Sequence, residues 1–425
     1  MKVNIISLGC PKNLVDSEVL AGILKEENYK LVNSCMDADI VVLNTCSFIS
    51  SARKEAKSYI NKLIKLKKEK KYKLIVTGCL PELEGEQLSN EYPQIDVIVG
   101  ISEYEKLPQI IKNLNGRKVV NISRGKNFVT SSKLLRVVST RSYAYLKIAD
   151  GCNNKCSYCL IPTIKGPYRE RTMEDLIKEA EGVASSGRKE IILISQDTTL
   201  YGIKIYKRQV LHKLIEKLSK IRDLLWIRIL YTHPAHFYDA LIKEIASNAK
   251  VCKYVDIPIQ HTSDKILSLM NRKINRKELL EVVEKLKKNN IKLRTTIMVG
   301  FPGESEQDFK ILYNDVKNIE FDWLGVFKFS AEKGTAAHEI DNKVPQKVKE
   351  ERYREIMSLQ QKITYMKNVA YVNKTYPILV DGEDFGHTEF QCPEIDGKTF
   401  LSEKPKNVVE NRQIKKVVNI YDLVA

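Results

Sequence analysis

Six of the nine cysteines form two trios with different spacing. Cys152, Cys156 and Cys159 fall in one short run, Gly151-Cys152-Asn153-Asn154-Lys155-Cys156-Ser157-Tyr158-Cys159, whereas Cys10, Cys46 and Cys79 are dispersed through the amino-terminal part of the chain. Thiolates are the standard ligands of iron–sulfur centres, and three of them can hold a cubane while leaving its fourth iron free to bind and activate another molecule. A structural zinc ion would want a fourth ligand and favours paired C-x-x-C knuckles, and neither accompanies the run. Cys252 and Cys392 have no partner at useful spacing, and Cys35 reads as a small buried or loop residue.

The elements around the dispersed trio explain how it could converge. Residues 3–7, 39–44 and 73–77 are short β-branched runs alternating with helical patterns, the signature of a doubly wound open α/β sheet. Each run is followed within a few residues by one cysteine, in Ser7-Leu8-Gly9-Cys10, Asn44-Thr45-Cys46 and Thr77-Gly78-Cys79. Parallel strands all end on one edge of a sheet, so three cysteines just past their carboxyl ends can meet there. A Ser- and Lys-rich stretch around residues 113–138 has little periodicity and reads as a linker. Six strand-plus-helix units follow, with strands near 144–149, 190–195, 226–230, 254–258, 293–299 and 323–329, which suggests a partial (β/α)6 TIM-like barrel with its site at the strands' carboxyl ends. Residues 346–366 read as a charged helix. Short runs at 376–380, 386–391 and 415–421 then suggest a small antiparallel β-barrel. The expected domains are 1–116 (amino-terminal cysteine domain), 117–137 (linker), 138–366 (the central core) and 367–425 (terminal barrel).

Composition sets bounds. A chain of 425 residues is too long for one ordinary core. It has no run of about eighteen apolar residues that could span a bilayer. The opening Met1 to Ile6 enters a strand pattern directly, without the apolar core of a signal peptide. A soluble, cytoplasmic protein is expected, in a compartment where thiols stay reduced and are more often metal ligands than disulfides. The net charge of +17 is compatible with work near nucleic acid or a ribonucleoprotein, and equally with an ordinary lysine-rich enzyme. Between residues 375 and 400, Asp381, Glu383, Asp384, Glu389, Glu394 and Asp396 face only Lys398. That balance predicts an acidic surface suited to docking a basic protein rather than RNA. No H-E-x-x-H, P-loop or nucleophile elbow is present, and the six histidines form no metal-binding pattern in sequence. His233 and His261 stand at expected strand ends and read as hydrogen-bonded in place.

The C-x-x-x-C-x-φ-C spacing, with Tyr158 in the φ place, resembles the signature of radical S-adenosylmethionine enzymes, and the six strand–helix units resemble their partial barrel. The resemblance implies a 4Fe–4S cluster on Cys152, Cys156 and Cys159 whose open iron is chelated by S-adenosyl-L-methionine. With the dispersed trio and the small terminal barrel added, nearly the whole chain is similar to the methylthiotransferases. In that family the terminal barrel is called TRAM, and the first trio, here Cys10, Cys46 and Cys79, holds a second 4Fe–4S cluster. Ser7-Leu8-Gly9-Cys10-Pro11-Lys12-Asn13-Leu14-Val15-Asp16-Ser17-Glu18 is similar to the branch that modifies a ribosomal protein, as are Tyr231-Thr232-His233-Pro234 and Asp256-Ile257-Pro258-Ile259-Gln260-His261.

That likeness implies methylthiolation of the β-carbon of an aspartate on small-subunit ribosomal protein twelve, free or in the ribosome. The alternative is a tRNA adenosine methylthiotransferase, and a rival of another class is a non-catalytic electron-transfer or RNA-binding protein. No catalytic side chain is implied beyond the cluster ligands. Contacts to S-adenosyl-L-methionine are expected from Tyr158, from Gln196 and Asp197 at the end of the second central strand, from Arg171 as a guanidinium suited to a carboxylate, and from Gly300, where a missing side chain would let backbone approach a ligand. A flavodoxin or ferredoxin as electron donor, a monomer, and no membrane association complete the expectation.

Overall fold

A computed structural model describes residues 1–114, 116–123 and 136–425. The remainder of the stretch read as a linker, residues 124–135, lies outside the described residues. Two compact units are resolved: the described residues of Met1–Ser139 with Ala149–Asn154 and Cys159–Leu176, and Thr140–Ile148 with Lys155–Tyr158 and Ile177–Ala425.

The first unit is built on a parallel sheet of β1 (Lys2–Ser7), β2 (Lys30–Leu31), β3 (Ile40–Thr45), β4 (Lys73–Gly78), β5 (Val97–Val99) and β6 (Val119–Asn121), in the order β2-β1-β3-β4-β5-β6. β6, inside the stretch read as linker, pairs with β5 as the edge strand. β3 is buried at every residue, as a central parallel strand covered on both faces must be. Val41, Leu43, Leu74, Val76 and Ile98 anchor a core on which Ala56, Ile60 and Leu63 of α2 (Ser50–Glu69) pack. The basic run at residues 62–73 is mostly the outer face of that helix, as its charge pattern predicts. α1 (Pro11–Glu26) starts with Pro at its first position, where the absent N–H costs nothing. The chain leaves β1 for β2 on one side and reaches β3 on the other, so the order reverses between β1 and β3. Such a reversal opens a crevice at the strands' carboxyl ends. A short antiparallel pair, β8 (Ala149–Asp150) with β9 (Arg169–Glu170), also belongs to this unit.

The second unit holds an all-parallel sheet of β7 (Tyr143–Lys147), β10 (Glu190–Ile194), β11 (Trp226–Ile229), β12 (Val251–Asp256), β13 (Lys292–Val299) and β14 (Trp323–Lys328), paired in that order. All six expected strands form, shifted by a few residues at most. The helix Gln346–Val369 follows, its Gln360 and Thr364 donating to the carbonyls of Phe321 (2.7 Å) and Asp322 (3.0 Å) ahead of β14. The carboxyl-terminal sheet runs β18 (Val409–Gln413), β15 (Thr375–Val380), β16 (Phe385–His387), β17 (Thr399–Phe400), β20 (Asp422–Val424), β19 (Lys416–Val418). Its pairs are antiparallel except β17 with β20, which is parallel, so the sheet is mixed rather than purely antiparallel.

The acids of this terminal sheet build the expected docking surface only in part. Asp396 accepts from Tyr254 Oη at 2.7 Å and pairs with Arg294 at 3.3 Å. Asp381 accepts from His387 at 2.7 Å, and Glu394 from Tyr145 Oη at 3.2 Å. Arg228, wholly buried, donates to Glu190 at 2.6 Å and to the carbonyl of Glu389 at 2.8 Å. Trp323 Nε1 donates to the carbonyl of Phe390 at 2.9 Å. Asp396 is thus a counterion for Arg294 of the parallel strands, Asp381 one for His387 of the terminal sheet itself, and Asp396 and Glu394 accept from tyrosines of the parallel strands. Removing one partner of such a buried pair costs about 3–5 kcal/mol. Only Glu383, Asp384 and Glu394 remain exposed among the six. Composition counted charges, but burial decides which of them face solvent.

Candidate cluster sites and their surroundings

Cys10, Cys46 and Cys79 do converge. Ser7 pairs with Asn44, Asn44 with Thr77 and Thr45 with Gly78, so the three strands end level, and each cysteine follows within three residues. Gly9 has φ +92°, and a Cβ there would stand 2.5 Å from Cys46 Cβ, so only glycine lets the β1 turn pass beside Cys46. Gly78, at φ +94°, approaches Thr45 carbonyl oxygen equally closely. Burial raises the proton affinity of the Cys46 and Cys79 thiols, and the neighbouring thiols of the trio raise it further, as sulfurs sharing one pocket must. Backbone N–H groups of Ser47 and Phe48 point at Cys46 and act in the opposite sense.

Asn13, one turn past Cys10, ties the loops together. Its Nδ2 donates to the carbonyls of Leu8 (3.0 Å) and Thr45 (2.8 Å), and its Oδ1 accepts from Cys79 Sγ at 3.6 Å. Asn44 Nδ2 returns a bond to the carbonyl of Asn13 at 2.9 Å. Behind the trio, Lys165 at the end of the helix Ile161–Lys165 pairs with Asp16 at 3.0 Å, both side chains at most 4 % exposed. Asp16, Asp150 and Cys79 hold the Lys165 ammonium well above its ordinary pKa against the cost of burial. Glu18, on the same helix as Asp16, accepts from Arg136 and Ser139 and fixes the segment leaving this unit.

In the second trio each sulfur meets a donor. Asn154 N–H lies 3.3 Å from Cys152 Sγ, Ile161 N–H 3.4 Å from Cys159 Sγ, and Arg272 Nη1 3.7 Å from Cys156 Sγ. Hydrogen bonds to sulfur stabilise thiolate and tune an iron–sulfur centre. Arg272 is buried, its Nη2 donates to Pro258 carbonyl at 2.7 Å, and its Nε has no partner. Tyr158 packs with Met270, Phe301 and Phe329.

Asp197 ends the β10 segment as expected and meets two histidines from the loop after β11. Its carboxylate accepts from Thr199 at 2.6 Å and from His236 Nδ1 at 2.7 Å, and those partners hold its pKa below the ordinary carboxylate range against burial. His233 stacks on His236, ring centroids 4.6 Å apart. Asp197, His233 and His236 offer ligand atoms within 4.8 Å of one another, a grouping that sequence order concealed. Arg272 acts electrostatically on both His233 and Asp197, and burial together with that guanidinium drives His233 well below its usual pKa. A buried guanidinium acting on the same groups opposes a metal ion there. His261 is fully buried with Nδ1 accepting from Ser263 N–H at 2.9 Å, a histidine held in place as its strand-end position predicts.

Two expected cofactor contacts are otherwise engaged. Arg171 donates Nε to Asp175 at 2.6 Å. Gly300 gives its N–H to Glu304 at 2.5 Å, and a Cβ there would stand 2.3 Å from Lys349 Cγ. A positive φ and a neighbouring lysine stem therefore both require glycine there. Asn13, Lys165, Arg272 and His236 were not legible as site residues. Of these only Asn13 left a trace, as a polar residue one helical turn from a candidate ligand.

Comparison with known proteins agrees with this geometry. A model of the Radical SAM superfamily matches residues 146–316, and one of the Uncharacterized protein family UPF0004 matches residues 2–100. The fold is shared with the radical S-adenosylmethionine methyltransferase TsrM from Kitasatospora setae, at TM-score 0.56 and 14 % identity over 77 % of this chain and 72 % of that one. Fold and cysteine loop together define a radical S-adenosylmethionine protein carrying an added cysteine-bearing sheet. Curated relatives named ribosomal protein uS12 methylthiotransferase RimO are 43 % identical in Acetivibrio thermocellus and 43 % in Clostridium botulinum, each over all of this chain and 97 % of the relative. A third, from Thermoanaerobacter sp., is 40 % identical over 99 % of this chain and 98 % of its own length. The chain belongs to the RimO family of methylthiotransferases.

Proposed function

We propose that this chain places a methylthio group on the β-carbon of a specific aspartate of ribosomal protein uS12, using S-adenosyl-L-methionine and two 4Fe–4S clusters. The observation that carries the reading is the meeting of Cys10, Cys46 and Cys79 at the switch point of the first sheet, in a chain that also bears the C-x-x-x-C-x-φ-C loop. The first pocket suits an inorganic cluster: three thiols converge, Ser47 Oγ is buried without a partner and can donate, and a buried ammonium stands behind them. Cys152, Cys156 and Cys159 would hold the cluster that binds S-adenosyl-L-methionine. That cofactor and cluster together supply radical chemistry able to remove hydrogen from an unactivated carbon, which no side-chain base can do at neutral pH.

The protein's own part is binding and position. Asp197, kept ionised by His236 and Thr199, suits the cofactor's amino group, with Gln196 beside it and Tyr158 packing at the loop. Arg171 and Gly300 complete the set, Gly300 through its Cα surface, since its N–H is held by Glu304. The unpartnered Nε of Arg272 fits a carboxylate. In this reading residues 1–116 with the edge strand β6 form the cluster domain, the rest of 117–137 a linker, 138–366 a partial (β/α)6 barrel and 367–425 a TRAM barrel. It also includes a flavodoxin or ferredoxin as reductant, a monomeric state and a cytoplasmic site of action. None of the helices among the described residues is long and apolar enough to cross a membrane.

The test is anaerobic reconstitution followed by two assays. Cys156→Ala should abolish 5′-deoxyadenosine release, and Cys46→Ala should retain release but give no methylthio product. Mass spectrometry of uS12 and tRNA from strains with and without the gene should place the adduct on uS12, and an adduct on tRNA alone would overturn the reading.

A further inference from the structure

Lys165 lies six residues after Cys159, yet its ammonium serves the other trio. It is buried, and its one hydrogen bond goes to Asp16 at 3.0 Å. An ammonium carries three donors, so two remain without a partner among the described residues, a costly state unless an acceptor fills the space. Its helix, Ile161–Lys165, packs on the helix Cys79–Glu91 that Cys79 opens, and the ammonium interacts electrostatically with Asp16, Asp150, Cys79 and Cys46. Asp16 already offsets one positive charge. The unspent donors are free for an acceptor placed between this helix and the one that Cys79 opens, and Ser47 Oγ, next to Cys46 in the chain, is likewise buried and unpartnered.

A cubane on three thiolates carries net negative charge, which grows by one on reduction. Burying such a group needs a counter-charge, and both net charge and hydrogen bonds to sulfur set its potential. We propose that Lys165 is the counter-charge of the amino-terminal cluster: its ammonium donates to sulfur on the Cys79 side and raises the cluster's reduction potential, while Asp16 holds it in position. Lys165 is thus a positioning residue. The proposal rests on the assignment of Cys10, Cys46 and Cys79 as cluster ligands.

The experiment uses the full chain with Cys152, Cys156 and Cys159 all changed to alanine, so that only the amino-terminal cluster is reconstituted, and follows reduction by electron paramagnetic resonance during a potentiometric titration. In that background Lys165→Met should shift the midpoint to lower potential, Asp16→Asn should shift it upward, and Lys165→Arg should remain near the parent. Opposite shifts from two members of one ion pair are an electrostatic signature that a folding role would not produce. Unchanged midpoints in both single variants would overturn the proposal. So would loss of iron from both that the neutral double variant Asp16→Asn/Lys165→Met restores at the parent potential, because the pair would then serve folding alone. A parent that takes up no iron at all would instead reject the ligand assignment.

Discussion

Asn13 spends its side-chain amide on three loops at once, and the consequence can be weighed. Replacing it by alanine leaves the buried carbonyls of Leu8 and Thr45 without their donor. At about 1–3 kcal/mol for each unsatisfied group, Asn13→Ala should cost about 3 kcal/mol, read by urea denaturation of the apo protein. It should also lower iron content from about eight to about four per chain. An unchanged iron content would mean that the loops keep their shape without it. At this scale the sequence displayed the candidate ligands, because thiols at diagnostic spacing have few other uses in a reducing compartment. It did not display Asn13, Lys165 or Arg272, whose roles come from burial beside a sulfur and not from residue type. A lysine at the end of a helix reads as a solvated cation until the fold removes water from it.

Among elements, the decisive ones are the turns after β1 and β4. Each cysteine loop must leave its strand sharply, and glycine at positive φ permits this where another loop already occupies the side-chain space. Gly9→Ala should therefore prevent occupation of the amino-terminal site while leaving the cluster on Cys152, Cys156 and Cys159 intact. The expected result is about four irons per chain with 5′-deoxyadenosine release retained and methylthio transfer lost. Retention of about eight irons would show that the Cys46 loop can yield. Strand-end placement was legible from the sequence because β-branched runs followed by Gly-Cys or Thr-Cys mark both the strand and its exit. The edge strand β6 was not, since three residues on a polar background carry no period. The Asp197–His233–His236 grouping was hidden for a different reason: its members lie on the segments after two strands that pair side by side, and pairing is not written locally.

For the molecule as a whole, the buried charge in the second unit governs its response to pH. His387 lies against Glu190 (2.5 Å) and Asp381 (2.7 Å), with Arg228 also on Glu190 and the rings of Tyr143 and Trp226 packed on the imidazole. Burial opposes its charge, yet the two carboxylates win and raise its pKa to about 9. A histidine pKa raised on folding adds stability that is complete below the unfolded value near 6.5 and is lost as pH climbs through the folded value. The difference corresponds to about 3 kcal/mol. Thermal unfolding should fall in midpoint between pH 6.5 and about 9.5, and His387→Gln should flatten that slope. An equal slope in both proteins would assign the loss to another group. Fold class was legible from strand–helix alternation, whereas the inward acids of residues 381–396 were not, because a count of charges carries no direction.

The same inward acids limit how the chain can be rebuilt. A terminal module transplanted from a relative with a different substrate would arrive without Asp396 in place, leaving Arg294 with Asp256 alone, and without the Glu389 carbonyl that shares Arg228 with Glu190. Such hybrids should lose stability unless the grafted module restores both acceptors to the arginines of the parallel strands.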